Sequence, residues 1–210
     1  MIPLLLKLKK ESHKQIAKAQ DIIVETLYET FNNATMHGGT AIWRCYQGNR
    51  FSEDIDVYLS RKLDKINIFF SSLEKKGFKL EKKKISNNSI YSKLYLDRTS
   101  TRFEALFRNV KSVLKEYETG EGNYITVYTL SPEDFLLEKI NTYLKRRKIR
   151  DLYDIFFLLR LIKPSDKIRN EIKKFINNYE KPIDEKELKT IIITGLVPDT
   201  DKMVQYIKNF

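Results

Sequence analysis

With 210 residues, 41% of them apolar, the chain can bury one generous core, or a core with an appended helical lobe, and its 32% charged residues suit contact with water. Lys and Arg outnumber Asp and Glu by 39 to 28, a formal charge of +11 that would attract a polyanion such as RNA or DNA, although an AT-rich codon bias toward Lys, Ile, Asn and Tyr yields the same excess without one. No apolar run reaches the roughly 18 residues of a membrane span, the opening Met1-Ile2-Pro3-Leu4-Leu5-Leu6 is too short for a secretory segment, and a lone Cys45 excludes an internal disulfide framework or a cysteine-based zinc cluster. A cytoplasmic protein is expected.

From about Lys7 to Phe31, apolar Ile16, Ile22, Ile23, Leu27 and Phe31 recur at helical spacing. Ala34 to His37 reads as a short buried strand, Gly38-Gly39 as a break, and the residues through Ile42 and Trp43 as a short helix. Asp54 to Leu59 alternates: Ile55, Val57 and Leu59 face one side, and Asp54, Asp56 and Tyr58 face the other. A helix over Leu63 to Lys75 should stop at Gly77. Strands are expected over Phe78 to Ile85, Ile90 to Leu96, Thr101 to Phe107 and Tyr124 to Tyr128, the last preceded by the Gly120 to Asn123 loop. The texture then changes. Ser131-Pro132-Glu133-Asp134 supplies an N-cap, a proline at the first helical position and a capping-box acid, opening a helix to about Arg147. Helical patterns follow over Asp151 to Ile162, Asp166 to Tyr179, Asp184 to Ile193 and Asp199 to Ile207. The expectation is an α+β fold: a mixed β-sheet core with flanking helices over residues 1–130, then a helical lobe over 131–210.

Asp54 and Asp56 share one face of a strand and repel each other unless a cation lies between them. Such hard oxygen donors suit Mg²⁺, with Mn²⁺ as a substitute, and the cation would keep the rest of its shell for water and phosphate. Glu104 alternates with Phe103 and Ala105 on a later strand, so it completes a three-carboxylate set for one or two metal ions if that strand pairs beside the first. The bland reading of Asp-x-Asp by itself is a solvated strand face. Gly38-Gly39-Thr40 lets backbone N–H groups approach a phosphate at a helix start, with the Thr40 hydroxyl on the same anion; read singly, it is an ordinary capped turn.

Taken in order, Gly38-Gly39-Thr40-Ala41-Ile42, then Arg50-Phe51-Ser52-Glu53-Asp54-Ile55-Asp56, then Glu104 in Arg102-Phe103-Glu104-Ala105, then Lys139-Ile140, Arg146, Arg150-Asp151 and Asp154, the sequence resembles the AbiEii/AbiGii toxin family of the DNA polymerase β-like nucleotidyltransferases. The resemblance spans about residues 35 to 160 and implies a nucleotidyltransferase fold. It also implies transfer of a nucleoside monophosphate from an NTP to an acceptor such as the 3′ end of tRNA, within a toxin–antitoxin or phage-defence system that would include an antitoxin. It assigns Asp54, Asp56 and Glu104 to metal and catalysis, and Gly38, Gly39, Thr40, Ser52, Lys139, Arg146, Asp151 and Asp154 to the NTP phosphates. Lys139 and Arg146 are seven apart on one helix face and would hold the triphosphate opposite the carboxylates, the helical lobe completing the NTP cleft. Their alternative, with Asp151 and Asp154, is an interhelical salt bridge.

Two basic stretches, Lys75 to Lys84 and Lys145 to Lys148, could hold an RNA backbone, and Tyr91, Tyr95 and Tyr143 could stack on bases, although charge runs are usually solvated faces and isolated tyrosines usually pack. Three rivals stay open: a small-molecule nucleotidyltransferase, a metal-dependent nuclease and a non-catalytic RNA-binding protein.

Overall fold

In the computed structural model of the chain, which describes residues 2–210, contacts divide the molecule into two compact units, Met1–Leu130 and Ser131–Phe210. The first unit begins with a short helix α1 (Leu4–Lys7) and a long helix α2 (Glu11–Thr30). The helical pattern that starts at Lys7 in sequence is broken there because Leu8 and Lys10 adopt extended backbone. Strand β1 (Thr35–His37) leads directly into helix α3 (Gly38–Cys45), whose first residue Gly38 has φ +72°. Strand β2 (Ile55–Leu59) and helix α4 (Leu63–Lys75) follow where periodicity places them. Helix α4 stops in a Schellman motif: Gly77, at φ +95°, donates to the Glu74 carbonyl, and the Phe78 N–H reaches back to the Leu73 carbonyl, each at 3.0 Å.

Strands β3 (Lys79–Ile85), β4 (Ser89–Leu96) and β5 (Thr99–Phe107) form a meander. A strand that alternation does not disclose, β6 (Val113–Glu118), pairs antiparallel with β7 (Tyr124–Thr129). Its Lys115 and Glu116 are exposed because β6 forms the sheet edge, where one face need not be apolar. The seven strands form one mixed sheet in the order β3-β4-β5-β2-β1-β7-β6. Strand β2 lies parallel to β5 and antiparallel to β1, and β1 is parallel to β7.

One face of this sheet is closed by α2 and α4. Ile55, Val57, Ile90, Leu94, Phe103 and Ala105 are buried there, and Phe103 meets Phe69 of α4 at 4.8 Å between ring centroids. Each such large side chain stabilises the fold by about 1.5–3 kcal/mol when taken out of water. Because strand side chains alternate, the same burial leaves Asp56, Tyr91, Lys93, Arg102 and Glu104 on the other, half-exposed face. Core burial thus positions the polar row.

The second unit is helical: α5 (Pro132–Arg146), α6 (Ile149–Leu158), α7 (Asp166–Asn177), a single 3₁₀ turn (Glu185–Glu187), α8 (Leu188–Ile191) and α9 (Thr200–Lys208). Ser131 caps α5 by accepting from the Asp134 N–H at 3.1 Å, and its hydroxyl donates to the Asp134 carboxylate at 2.8 Å. Ser165 and Asp199 cap α7 and α9 in the same way. Helix α6 starts at Ile149, so Asp151 is inside its first turn and is not its N-cap.

Candidate active site

The sheet register assembles the centre of the site. Asp56 of β2 is directly opposite Glu104 of β5 on one side and His37 of β1 on the other. Registered partners project from the same face, so the two carboxylates are neighbours across one strand spacing of about 4.8 Å. Asp54 stands two residues before Asp56, immediately ahead of β2. Its carboxylate accepts from Arg102, Nε at 2.8 Å and Nη2 in a second, shorter bond, forming a bidentate pair. Arg102 is two residues before Glu104 and therefore on the same face of β5.

The three acids act on each other electrostatically. Partial burial, then the negative charge of Asp56 and, more weakly, of Asp54 push the Glu104 carboxyl above the ordinary range, and Arg102 and His37 oppose that rise. His37 itself stacks on Tyr58 with ring centroids 4.0 Å apart.

The Gly-Gly turn is built for close approach. A Cβ on Gly38 would come within 2.1 Å of Asp56 Oδ2, and one on Gly39 within 2.5 Å of Arg50 Nη2 and 2.6 Å of Ser52 Oγ. A side chain at Gly39 would have to displace the ends of Arg50 and Ser52, and at Gly38 the positive φ of +72° adds backbone strain to the clash. The turn, Ser52 and Asp56 therefore form one locus at the start of α3.

Thr40 departs from expectation. It is fully buried, and its hydroxyl donates to the Asp54 carbonyl while accepting from Gln20 Nε2 at 3.3 Å. A hydroxyl already committed inside the core does not reach a phosphate, so Thr40 positions the Asp54 segment from behind. Gln20, which also donates to the Ser52 carbonyl at 2.9 Å, shares that task, and nothing in its sequence surroundings marks it.

The donor set suits a hard divalent cation: two carboxylates in register with a third on the same face, beside a turn with no Cβ in the way. The third donor is not turned inward, because Arg102 holds Asp54, and among the described residues no group of three or more His, Cys, Asp or Glu is gathered closely enough to grip an ion. Arg102 is the residue whose role periodicity hides. Its place two before Glu104 is visible in the strand pattern; its grip on Asp54 is tertiary.

The remaining predicted residues lie in the helical unit. Lys139 Nζ is 2.7 Å from Asp154 Oδ2 and 3.4 Å from Asp151 Oδ1, and Arg146 Nε is 2.7 Å from Asp151 Oδ2. Asp151 and Asp154 are 0% and 1% exposed and Lys139 7%, so these three do not present themselves to a phosphate as expected. They form the salt-bridge network that ties α5 to α6. Arg146, with 41% of its side chain exposed, differs from the rest.

A separate cavity of about 440 Å³, lined by Arg44, Cys45, Lys115, Glu116 and Tyr124 among others, lies at the far end of α3 and shares no residue with this site. Among the described residues no helix is long and apolar enough to cross a membrane.

A mixed sheet bearing registered carboxylates on its open face, next to a Gly-Gly helix entry, is the arrangement of a nucleotidyltransferase. Known structures agree on the fold. JHP933 from Helicobacter pylori superposes with a TM-score of 0.68 at 18% identity, covering 95% of this chain and 90% of that one. A candidate nucleotidyltransferase from H. pylori gives 0.66 at 19% identity, covering 95% and 93%. No curated protein sequence matches the chain. The family model of the AbiEii nucleotidyl transferase toxin of type IV toxin–antitoxin systems matches residues 22–201, and the chain belongs to that family. It is a nucleotidyltransferase, and the family's setting implies a nucleotide substrate and an antitoxin partner.

Proposed function

We propose that this cytoplasmic enzyme moves a nucleoside monophosphate from an NTP onto the 3′-hydroxyl of an RNA such as tRNA, with the chemistry centred on Asp54, Asp56 and Glu104. The observation that carries this reading is the pairing of Asp56 with Glu104 on one sheet face, against the Gly38 turn. Asp54, Asp56 and Glu104 would hold one or two divalent cations, Mg²⁺ or Mn²⁺, which supply Lewis-acid polarisation of the phosphate and a lowered hydroxyl pKa. The backbone amides of Gly38 and Gly39 and the Ser52 hydroxyl orient the triphosphate. The acceptor oxygen bonds to the α-phosphorus, the bond from that phosphorus to the bridging β-oxygen breaks, and pyrophosphate leaves. Glu104 would assist the cation that activates the hydroxyl, and its carboxylate is the base in this row that could take the proton. Of Lys139, Arg146, Asp151 and Asp154, Arg146 alone is exposed enough to meet a phosphate; the other three hold α5 against α6.

The test is incubation with each α-labelled NTP, Mg²⁺ and total tRNA. Label on RNA with stoichiometric pyrophosphate supports the proposal. Label on a small-molecule acceptor alone, shortened RNA, or RNA binding with no NTP consumed would replace it with a small-molecule transferase, a nuclease or a binding module respectively.

A further inference from the structure

The row that holds the carboxylates continues across the sheet. Asp56 registers with Glu104, Glu104 with Tyr91 of β4, and Tyr91 with Lys84 of β3, so one line of side chains on a single face runs from the candidate centre to the sheet edge. The adjacent row reads Arg102, Lys93, Lys82. Tyr95 is two residues beyond Lys93 and faces the same way. The opposite face of β4 and β5 is buried at Ile90, Leu94, Phe103 and Ala105; this one is half-exposed or exposed along its length.

Two features single it out from an ordinary solvated face. The tyrosines are not buried, and each ring carries a cation: Lys82 Nζ is 5.4 Å from the Tyr91 centroid, and Lys93 Nζ is 5.1 Å from that of Tyr95. On β3 and β4, away from the carboxylate centre, cations also outnumber acids. These two strands bear Lys82, Lys84 and Lys93 on the open face, against Glu81, which pairs with Lys93 at 2.8 Å. Alternating aromatic faces and cations are what a single strand needs, since bases stack on the rings and phosphates are neutralised beside them. An acidic peptide would use the lysines but would have no use for a pair of ring faces. An A-form duplex keeps its bases stacked on each other and could not offer them.

We infer that this open face of β3, β4 and β5 is the platform for the single-stranded 3′ segment of the acceptor RNA, with Tyr91 and Tyr95 stacking bases and Lys82, Lys84 and Lys93 tracking the backbone toward Glu104 and Asp56. The inference rests on the transfer reading for the direction of the strand, and on the surface alone for binding.

The experiment uses the full chain and a 5′-fluorescent single-stranded RNA of twelve nucleotides, with anisotropy read in the absence of NTP. Y91A/Y95A should weaken binding on the order of tenfold or more, and Y91F/Y95F, which keeps the rings, should restore it. K82A/K84A should reduce the slope of log affinity against log salt by about 1.4. K173A/K174A, the same charge change on α7, should leave binding within twofold and controls for net charge. Circular dichroism melts confirm that each variant is folded. In transfer assays the tyrosine variants should raise the KM for RNA, with the loss falling there and not on kcat. Folded Y91A/Y95A that binds like wild type, a duplex or polyglutamate that binds as tightly as the single strand, or an unchanged KM for RNA overturns the platform while leaving the transfer reading intact. Platform-dependent binding by a wild type that consumes no NTP with any acceptor overturns the transfer reading instead.

Discussion

Two clusters of acids and cations in this chain look alike on paper and differ in the one property that decides their use. On the sheet, Glu104 and Arg102 keep 41% and 43% of their side chains exposed, and Arg102 only partly offsets the crowding of Glu104 by Asp56 and Asp54. Between α5 and α6, Asp151, Asp154 and Lys139 are at most 8% exposed, and opposite charges are paired at 2.7–3.4 Å. Like charges crowded next to solvent favour a bound cation; opposite charges paired in the interior are a fastener. The comparison separates chemistry from architecture where the residue types alone do not.

It can be broken at either end. Removing the cation of the buried cluster should have the largest effect on stability. Lys139→Met leaves Asp151 and Asp154 in the interior short of a counter-charge and should cost about 3–5 kcal/mol, read as a fall in the urea midpoint; a drop under 1 kcal/mol would show that the cluster is wetter than its burial implies. Gly38→Ala comes next. It forces a Cβ toward Asp56 Oδ2 at a positive φ, and should lower transfer at least about a hundredfold for about 1–3 kcal/mol of stability. Transfer at the wild-type rate would mean that the turn has slack. Arg102→Ala has the smallest expected effect and sharpens the account of the sheet cluster. By freeing Asp54 and deleting a positive charge it should tighten Mn²⁺ binding several-fold, followed by electron paramagnetic resonance of the free ion; weaker binding would make Arg102 a support for the metal ligands and not their competitor.

How much of this the residues disclosed follows the same divide. Alternation in Asp54 to Leu59 and in Thr101 to Phe107 gave Asp56 and Glu104 the polar face of their own strands, because a period of two survives any tertiary detail, while the pairing of those strands is tertiary. The Ser131-Pro132 cap marked α5 to within a residue. Strand β6 stayed hidden because its burial does not alternate: Leu114 to Glu116 are exposed in a row and Tyr117 and Glu118 are both buried. The burial of Thr40 and Lys139, residues to which the sequence pattern gives a phosphate role, was illegible for a related reason. A hydroxyl at a helix start and a lysine on a helix face serve equally well inside or outside, and only burial chooses. Arg102 and Gln20 act through partners 48 and 32 residues away, a separation that local pattern does not carry.

The most direct test places one substitution in each cluster and reads two quantities. Asp56→Asn keeps the side chain's size and removes one of the crowded carboxylate charges, so the protein should stay folded with a melting temperature near that of the wild type while transfer of label from α-labelled NTP falls at least about a thousandfold. Asp151→Asn should lose stability first, with any surviving folded fraction still transferring label. A folded Asp56→Asn protein that transfers label within tenfold of wild type would mean that the reaction is run from somewhere other than the sheet.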